Sequence, residues 1–480
     1  MVGAGVSGLA AAWHLTCLPD APRVVVLESG SEVGGKLRVG TVGPLEFDLG
    51  AESVLARRPE AVELIEAAGL AADLTHPATT AANVVRDGAL HPLPARTLMG
   101  VPADPSSLRG LLTEAEVARV AAEPDLAPTP VEDDVDVASW VSARVGDAVV
   151  DRLVEPLLGG VYAGHARRLS LRATVPALWQ YARSGGSLLA AVASALPAPP
   201  SSSARGVTPA TTPPPPMFAG VVGGLGRVPV ALAARLAERG VTVTTGCTVR
   251  GMERTEHGWR LLTGPVPAHT HLDVDAVLLA VPAAPTARLL APVCPAGAGE
   301  VAGIETASVA VVAAVLERSA LAGLPGSGLL VPPVEGRPVK AMTFSSAKWA
   351  WVDGLDPRLV VLRLSLGRHR EEAVLQRDDD DLTALALADA ADLLGRDLAP
   401  VATRVVRWGG SLPQPAVGHV DRIARLRVAV AGVPGLAVCG AALDGVGVPA
   451  CVAAARSAAD KIAADLAAAF TVLGGDVGGA

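Results

Sequence analysis

Short apolar runs and helix-forming stretches alternate at both ends of the chain, and this alternation predicts an α/β fold. Near the start, a glycine-rich turn precedes the helix predicted for 9–15, and the run RVVVLE at 23–28 is typical of a buried strand. Near the end, 435–470 repeats the order of strand, glycine-rich turn and long helix. If both turns face one extended ligand, the ligand-binding domain is assembled from both ends of the chain.

The sequence pattern in the middle of the chain predicts three further regions. Helical periodicity, interrupted by proline-rich turns, predominates from 60 to 200 and predicts a helical region at 81–196. Strand-like runs alternate with one helix from 300 to 405 and predict a sheet region at 285–404. The acidic run DDDD at 378–381 is predicted to cap that helix, because carboxylates favour the positive N-terminal end. Residues 197–216 are rich in proline, serine and threonine, which predicts a disordered loop. The remaining segments are predicted to form one discontinuous domain: 1–80, 217–284 and 405–470.

The glycine-rich turn near the start has the pattern G-x-G-x-x-G, formed by Gly3, Gly5 and Gly8. This pattern seats a dinucleotide pyrophosphate on a helix N-terminus, and Glu28, 20 residues after Gly8, can accept hydrogen bonds from ribose hydroxyls. The turn normally follows a strand of about five residues, but only two residues precede it, so the first strand is truncated. Two interpretations stay open: a working enzyme whose sequence is shortened at the first strand, or a chain that no longer holds its nucleotide.

A second glycine pair strengthens the nucleotide interpretation. Gly34 and Gly35 allow a close backbone approach to a ligand, and Lys36 adds a cation where a pyrophosphate would lie. The alternative is a tight turn that carries a solvated lysine.

Composition and charge narrow the classes of function. A net charge of −8 and a pI of 5.7 argue against nucleic-acid partners. The five cysteines show no metal-ligand spacing, which predicts no metal site and reduced thiols in a cytoplasmic protein. The mean hydropathy is +0.41, yet no apolar run approaches the ~20 residues of a spanning helix. Peripheral contact with the inner face of the membrane stays open.

Five longer stretches of the sequence resemble the motifs of a known family and occur in the same order as in that family. They are FDLGAESVLARRPE (47–60), RLVEPLLGGVYAGHARRLSLRATVP (152–176), KAMTFSSAKW (340–349), SLPQPAVGH (411–419) and GVGVPACV (445–452). With these stretches the chain resembles the FAD-dependent porphyrinogen oxidases, which make protoporphyrin or coproporphyrin in haem synthesis and are related to flavin amine oxidases. The chain departs from the family pattern at Pro415 and Ala416, where an aromatic residue is usual, and at His165, where an acidic one is usual.

The resemblance implies a fold. This fold is a Rossmann-like FAD-binding domain, with a truncated first strand, interleaved with a mixed-sheet plus helical substrate domain. Residues 81–196 would form the helical part that faces the substrate or the membrane, and 285–404 would form the substrate-binding sheet.

The resemblance also implies an activity. It is the oxidation of coproporphyrinogen III to coproporphyrin III by non-covalently bound FAD, with molecular oxygen as the final acceptor and peroxide as its product. Protoporphyrinogen IX is the alternative substrate, and a flavin amine oxidase or desaturase is a further alternative. A haem-pathway enzyme that takes the product stays open as a partner.

Ligand-binding residues follow from the same resemblance. The ADP half of FAD would contact Gly3, Gly5, Val6, Ser7, Gly8, Glu28, Gly34, Gly35, Lys36 and Val249. The flavin ring would contact Gly50, Ala51, Glu52, Trp408, Ala442, Val446, Gly447 and Val448. The anionic substrate needs cations to offset the negative net charge, and the candidates are Arg57, Arg58, Arg167, Arg168, Lys340 and Lys348. Each could instead be a surface charge, as Glu52 could be a partly exposed loop carboxylate. No catalytic side chain is assigned, because the flavin does the redox chemistry.

Overall fold

The computed structural model describes residues 1–196, 216–266 and 268–474, so almost all of the predicted loop 197–216 lies outside the described residues. The helices are α1 (Val6–Thr16), α2 (Pro59–Ala67), α3 (Glu114–Ala121), α4 (Val137–Val145), α5 (Asp147–Val149), α6 (Glu155–Tyr162), α7 (Leu171–Thr174), α8 (Pro176–Ser184), α9 (Leu188–Ala195), α10 (Arg227–Glu238), α11 (Ala283–Leu290), α12 (Pro295–Ala302), α13 (Ser345–Lys348), α14 (Ala350–Asp353), α15 (Asp379–Leu394), α16 (His419–Ala431), α17 (Ala441–Asp444) and α18 (Val448–Gly474). The strands are β1 (Val25–Leu27), β2 (Val39–Val42), β3 (Leu45–Asp48), β4 (Val54–Leu55), β5 (Leu74–Thr75), β6 (Asn83–Arg86), β7 (Ala89–Pro92), β8 (Thr97–Leu98), β9 (Val101–Pro102), β10 (Phe218–Val221), β11 (Thr242–Thr244), β12 (Val249–Thr255), β13 (Gly258–Thr263), β14 (Thr270–Val274), β15 (Val277–Leu279), β16 (Thr306–Glu317), β17 (Gly328–Leu330), β18 (Val339–Phe344), β19 (Leu359–Leu366), β20 (Pro400–Pro413) and β21 (Leu436–Val438).

Val2 takes the central position of a parallel layer of short strands. It pairs in parallel with Leu27 of β1 and with Leu279 of β15, while β1 pairs with β11 and β15 pairs with β21. The order β11, β1, Val2, β15, β21 therefore combines strands from the beginning, the middle and the end of the chain. The predicted α/β class is confirmed, and the first strand consists of one paired residue.

Successive residues of the parallel strands bury opposite faces of the layer. Val26 and Leu278 belong to a core with α1, α10 and α18, whereas Leu27 and Leu279 belong to a core with β12, β13 and the helices α11, α12 and α16. Because α1 follows Val2 and α18 follows β21, both helices begin beyond the carboxyl ends of parallel strands. This is the edge of an open α/β sheet where ligands bind.

A seven-stranded mixed sheet forms the second layer, in the order β20, β16, β19, β18, β17, β6, β7. Its β17–β6 pair is parallel, and its other neighbours are antiparallel. One face packs on α15, whose N-cap Asp378 accepts a hydrogen bond from Asp381 N, as the acidic run predicts. The other face packs on β2 and β3 around Phe47 and Trp349. The sheet includes β6 and β7, which lie within the predicted helical region 81–196, and all of β20, which extends beyond the predicted sheet region 285–404. The predicted domain boundaries stay a prediction.

Helices α3 to α9 surround a separate apolar core. Glu123, fully buried just after α3, accepts hydrogen bonds from Arg144 of α4 and from the backbone of Leu188 and Leu189 at the start of α9. Within the described ranges, no helix combines the length and apolarity that crossing a bilayer requires.

Candidate active site

The three glycines of the turn between Val2 and α1 have different surroundings. A Cβ on Gly8 would lie 1.9 Å from Gly3 O, and one on Gly3 would lie 2.6 Å from Ala280 O. Gly3 also has a φ of 102°, which favours glycine. A Cβ on Gly5, by contrast, would meet no described atom within 4 Å. Gly5 therefore leaves an open approach to the N-terminus of α1, where free backbone N–H groups can bind an anion.

Glu28 fastens this turn from the end of the neighbouring strand. Its carboxylate accepts hydrogen bonds from Ala4 N and from Gly30 N, each at 2.7 Å. Its carbonyl oxygen accepts from Cys247 N at 2.8 Å, and this bond brings the start of β12 with the buried Val249 to the same edge. Since each carboxylate oxygen can accept more than one hydrogen bond, Glu28 can hold the turn and a ribose together.

The segment Gly34–Lys36 packs against the glycine turn. Gly34 N donates to Ala4 O at 2.8 Å, and a Cβ on Gly35 would lie 3.5 Å from Gly5 Cα. Burial lowers the pKa of Lys36, and among the described residues none forms a hydrogen bond or ion pair with its ammonium. A partly buried cation without a partner beside an open helix N-terminus suits a pyrophosphate.

The loop that follows β3 continues the site toward the mixed sheet. Ala51 N donates to Lys36 O at 3.1 Å. A Cβ on Gly50 would lie 2.0 Å from the same oxygen and 3.3 Å from Trp408 Cζ2. Gly50 thus allows the Lys36 backbone, the loop and the indole of β20 to meet where the two layers join.

The side chain of Glu52 lies between two cations and is only 12% exposed. Lys348 Nζ donates to Oε1 at 2.6 Å, and Arg363 Nη1 donates to Oε2 at 2.7 Å. Burial alone raises the pKa of Glu52, but the two cations outweigh burial and lower this pKa to about 2. Glu52 is therefore a largely buried, ion-paired carboxylate, and Lys348, predicted to meet the substrate, is paired with it.

The last part of the site is the turn between α17 and α18. Ala442 lies in α17, and Val446–Val448 lead into α18. Cys451, in the first turn of α18, is buried beside Ser7 of α1, and burial raises the pKa of its thiol. The N-termini of two helices from opposite ends of the chain therefore lie side by side.

The other predicted substrate cations are spread over three places. Arg57 and Arg58 are exposed on the segment before α2. Lys340 is buried in β18, and burial lowers its pKa to about 7. Arg167 and Arg168 are exposed at a cavity of about 590 Å³, whose other lining residues are Asp151, Glu155, His165, Pro333 and Val334. The structure brings Arg167 and Arg168 together, but it does not join all six cations in one cluster.

Arg363 is the residue of this region that the sequence analysis misses. It lies within the apolar run of β19, and its Nη2 donates to Gly50 O at 2.6 Å. A charged residue inside an apolar strand is rarely buried without a partner, so the run itself carries the signal. Its partner Glu52 is 311 residues away, and no local pattern identifies it.

These residues fit an extended flavin nucleotide. Gly5 is open toward the site, Lys36 has no partner among the described residues, and two helix N-termini meet there. In the described part of the chain, the buried Nε of Arg363 also has no hydrogen-bond partner.

The comparison with known families decides between a flavin site and a structural turn. The sequence profile of the family described as "Flavin containing amine oxidoreductase" matches residues 6–463. The chain belongs to this family. Flavin-containing amine oxidoreductases are enzymes, so the predicted oxidoreductase class and FAD as the cofactor are confirmed.

Several relatives of this flavin-containing amine oxidoreductase carry porphyrinogen oxidase names. Coproporphyrinogen III oxidase of Mycobacterium leprae is 36% identical over 473 residues, which cover 97% of this chain and 98% of the relative. Protoporphyrinogen oxidase of Homo sapiens is 29% identical over 489 residues, 96% of this chain and 97% of the relative. A crystal structure from Exiguobacterium, provisionally described as a protoporphyrinogen oxidase, superposes with a TM-score of 0.83 at 30% identity and covers 97% of this chain and 98% of that one. The predicted resemblance to the porphyrinogen oxidases is confirmed.

Proposed function

We propose that this protein oxidises coproporphyrinogen III to coproporphyrin III with FAD and molecular oxygen. The observation that carries the proposal is the similarity to the Mycobacterium leprae coproporphyrinogen III oxidase, at 36% identity over 97% of the chain. Protoporphyrinogen IX is the second candidate substrate, favoured by the similarity to the human protoporphyrinogen oxidase. The two substrates differ in the number of carboxylates, so the number of cations near the bound substrate would determine which of the two the protein prefers.

In this proposal the ADP half of FAD lies along the glycine turn. Glu28 accepts hydrogen bonds from the ribose, and Gly34 and Gly35 let the backbone approach the nucleotide. Lys36 and the open N-terminus of α1 offset the charge of the pyrophosphate. The absence of a Cβ clash at Gly5 supports this placement.

The flavin ring would lie where the two layers join. Gly50–Glu52 and Trp408 would contact one part of the ring, and Ala442 with Val446–Val448 would contact another. The packing at Gly50 supports this placement, because a Cβ there would lie 2.0 Å from Lys36 O and 3.3 Å from Trp408 Cζ2, so the loop, the Lys36 backbone and the indole lie close together.

When bound, FAD would accept six electrons from the porphyrinogen in three two-electron steps, and it would pass them to three molecules of oxygen, which become three of peroxide. The side chains of this protein bind and orient the substrate and the cofactor, and they exclude water from the site. Arg167 and Arg168 are the first candidates for the substrate carboxylates, because they share a cavity of about 590 Å³. Guanidinium groups hold carboxylates with two parallel hydrogen bonds.

A turnover experiment tests the proposal. The purified protein, loaded with FAD, is given either porphyrinogen in air while porphyrin fluorescence and peroxide are followed. We expect coproporphyrin III to form with three peroxides per porphyrin, and to form faster than protoporphyrin IX. A flavin-loaded protein that oxidises neither porphyrinogen, or that oxidises amines instead, contradicts the proposal.

Two further parts of the proposal concern partners and location. Contact with the inner face of the membrane is proposed from the mean hydropathy of +0.41, and contact with a haem-pathway enzyme that takes the product is proposed from the family resemblance. Co-sedimentation with anionic vesicles, compared with neutral vesicles, tests the membrane contact.

A further inference from the structure

Glu52, Lys348 and Arg363 form a largely buried group behind the loop 49–52, which we call the Glu52 cluster. Their side chains are 12%, 20% and 11% exposed. Lys348 and Arg363 each hold one oxygen of the carboxylate, and Arg363 Nη2 also donates to Gly50 O at 2.6 Å and to Leu49 O at 3.5 Å. Arg363 therefore fixes the side chain and the main chain of one loop at the same time.

The Glu52 cluster carries an excess of positive charge. Two cations face one carboxylate, and the same two cations keep that carboxylate ionised. A further acid, Asp48, interacts electrostatically with Arg363 and Glu52 and accepts hydrogen bonds from Leu225 N and Gly226 N at 2.7 and 2.9 Å. Those N–H groups precede α10, so the positive end of a helix and the charge of Arg363 both offset the charge of Asp48.

The loop held by the cluster borders the proposed flavin site. Gly50 separates Lys36 O from the Trp408 indole, with no room for a Cβ. Lys348 and Arg363 donate hydrogen bonds to Glu52, and Arg363 also donates to Gly50, so both cations are bonded to residues proposed to contact the ring. The Nε of Arg363 is buried and has no partner among the described residues, which leaves a donor available on the same side chain.

We propose that the Glu52 cluster positions the loop 49–52 against the flavin and that its excess positive charge favours the reduced flavin. The inference rests on the proposed function, because it requires FAD at Gly50–Glu52. Two-electron reduction of the ring with uptake of one proton adds one negative charge to it. A fixed cation nearby stabilises that charge more than it stabilises the neutral oxidised ring. Lys348 and Arg363 act here as positioning residues.

A cluster that only holds the loop 49–52 to the mixed sheet would behave differently. Removing Lys348 or Glu52 would then loosen the same loop, and both changes would shift the flavin equilibrium in one direction or leave it unchanged. In the electrostatic role, removing a cation and removing the carboxylate shift the equilibrium in opposite directions. The sign of the shift therefore separates the two roles.

The test is a reductive titration of the FAD-loaded protein with dithionite, in the presence of a reference dye. We expect Lys348→Met to lower the ratio of reduced to oxidised flavin at a fixed potential several-fold, and Glu52→Gln to raise it several-fold. Lys348→Arg keeps the charge and should leave the ratio at the wild-type value. Shifts of the same sign, or no shift, overturn the inference. If Glu52→Gln does not fold, the comparison of Lys348→Met with Lys348→Arg still decides.

A matched control lies on the opposite face of the mixed sheet. Arg337 pairs with Asp389 of α15 at 2.8 Å, away from the loop 49–52, so Arg337→Met should leave the ratio unchanged, and a shift equal to that of Lys348→Met counts against the inference. A wild-type protein that takes up no FAD overturns the proposed function together with this inference. FAD-loaded variants with unshifted ratios overturn this inference alone.

Discussion

Lys340 places an ammonium inside β18, near the guanidinium of Arg368. Burial, with a smaller contribution from Arg368, lowers the pKa of Lys340 from 10.5 to about 7. Between these two values the unfolded chain keeps a proton that the folded chain has released. This group therefore makes the fold more stable as the pH rises from about 7 toward 10, and the full penalty of the buried charge is present below about pH 7. A buried amine that is only partly charged is also a weaker partner for a substrate carboxylate than an arginine.

We expect Lys340→Met to raise the free energy of unfolding near pH 7, because the variant has no ammonium to desolvate. The gain should be about 1.4 kcal/mol for each pKa unit of the shift that is removed. Urea unfolding at several pH values between 6 and 10 measures it, and the rise of stability with pH should become flatter. Lys461→Met is the control, since Lys461 pairs with Asp465 on α18. An identical pH dependence in wild type and Lys340→Met would contradict the prediction.

Gly5 and Gly8 separate two roles of the glycine turn. In Gly8→Ala the new Cβ would lie 1.9 Å from Gly3 O, so the turn must move, and we expect the Tm and the FAD affinity to fall together. In Gly5→Ala the new Cβ meets no described atom within 4 Å, and the φ of −71° suits alanine. We expect an unchanged Tm of the FAD-free protein and a Kd for FAD raised about tenfold or more, ~1.4 kcal/mol. Tight FAD binding by Gly5→Ala would show that this face of the turn is not used.

At the scale of elements, Glu123 joins α4 to α9. Its carboxylate accepts from Arg144 Nε at 2.7 Å, from Ser187 Oγ at 2.6 Å and from Leu188 N at 2.7 Å, in a fully buried position. Glu123→Gln leaves the buried guanidinium without its counter-charge, so we expect a loss of about 3–5 kcal/mol in the free energy of unfolding. Asp378→Ala removes an exposed cap of α15 and should cost about 0.5–2 kcal/mol. Denaturant unfolding of both variants checks that Glu123→Gln loses more unfolding free energy than Asp378→Ala. An equal loss in the two variants would contradict the prediction.

Elements with local signals are predicted well, and their partners are not. The helix expected at 9–15 lies within α1, the strand expected at 23–28 contains β1, and the acidic run caps α15. These features depend on residues a few positions apart. Strand pairing depends on distant residues: β6 pairs with β17, whose Leu329 lies opposite Asn83. Periodicity cannot identify that partner, so the membership of β6 and β7 in the mixed sheet is found only in the structure.

At the scale of the whole molecule, a local motif predicts the nucleotide half of the candidate site, whereas the ring half is predicted only by the family resemblance. Gly3, Gly5, Gly8 and Glu28 form a local motif whose spacing follows from one strand, one turn and one helix. The Glu52 cluster joins residues 296 and 311 positions apart. Its geometry follows from how β18 and β19 dock against the loop after β3, and tertiary packing alone determines that docking.

FAD binding should protect both ends of the chain at once, because the site is assembled from α1 and α18. Ligand at 100 times its Kd adds about 2.7 kcal/mol to the stability of the state that binds it. We expect FAD to slow amide hydrogen exchange in 3–8, 34–36, 50–52 and 442–452 of the FAD-free protein, and to raise its Tm. Helix α15 serves as the internal control, since it packs on the face of the mixed sheet opposite β2 and β3. Hydrogen exchange with mass spectrometry reads all segments in one experiment. Protection confined to 3–8 and 34–36 would mean that the C-terminal turn does not contact the cofactor, and the assembly from both chain ends would be refuted.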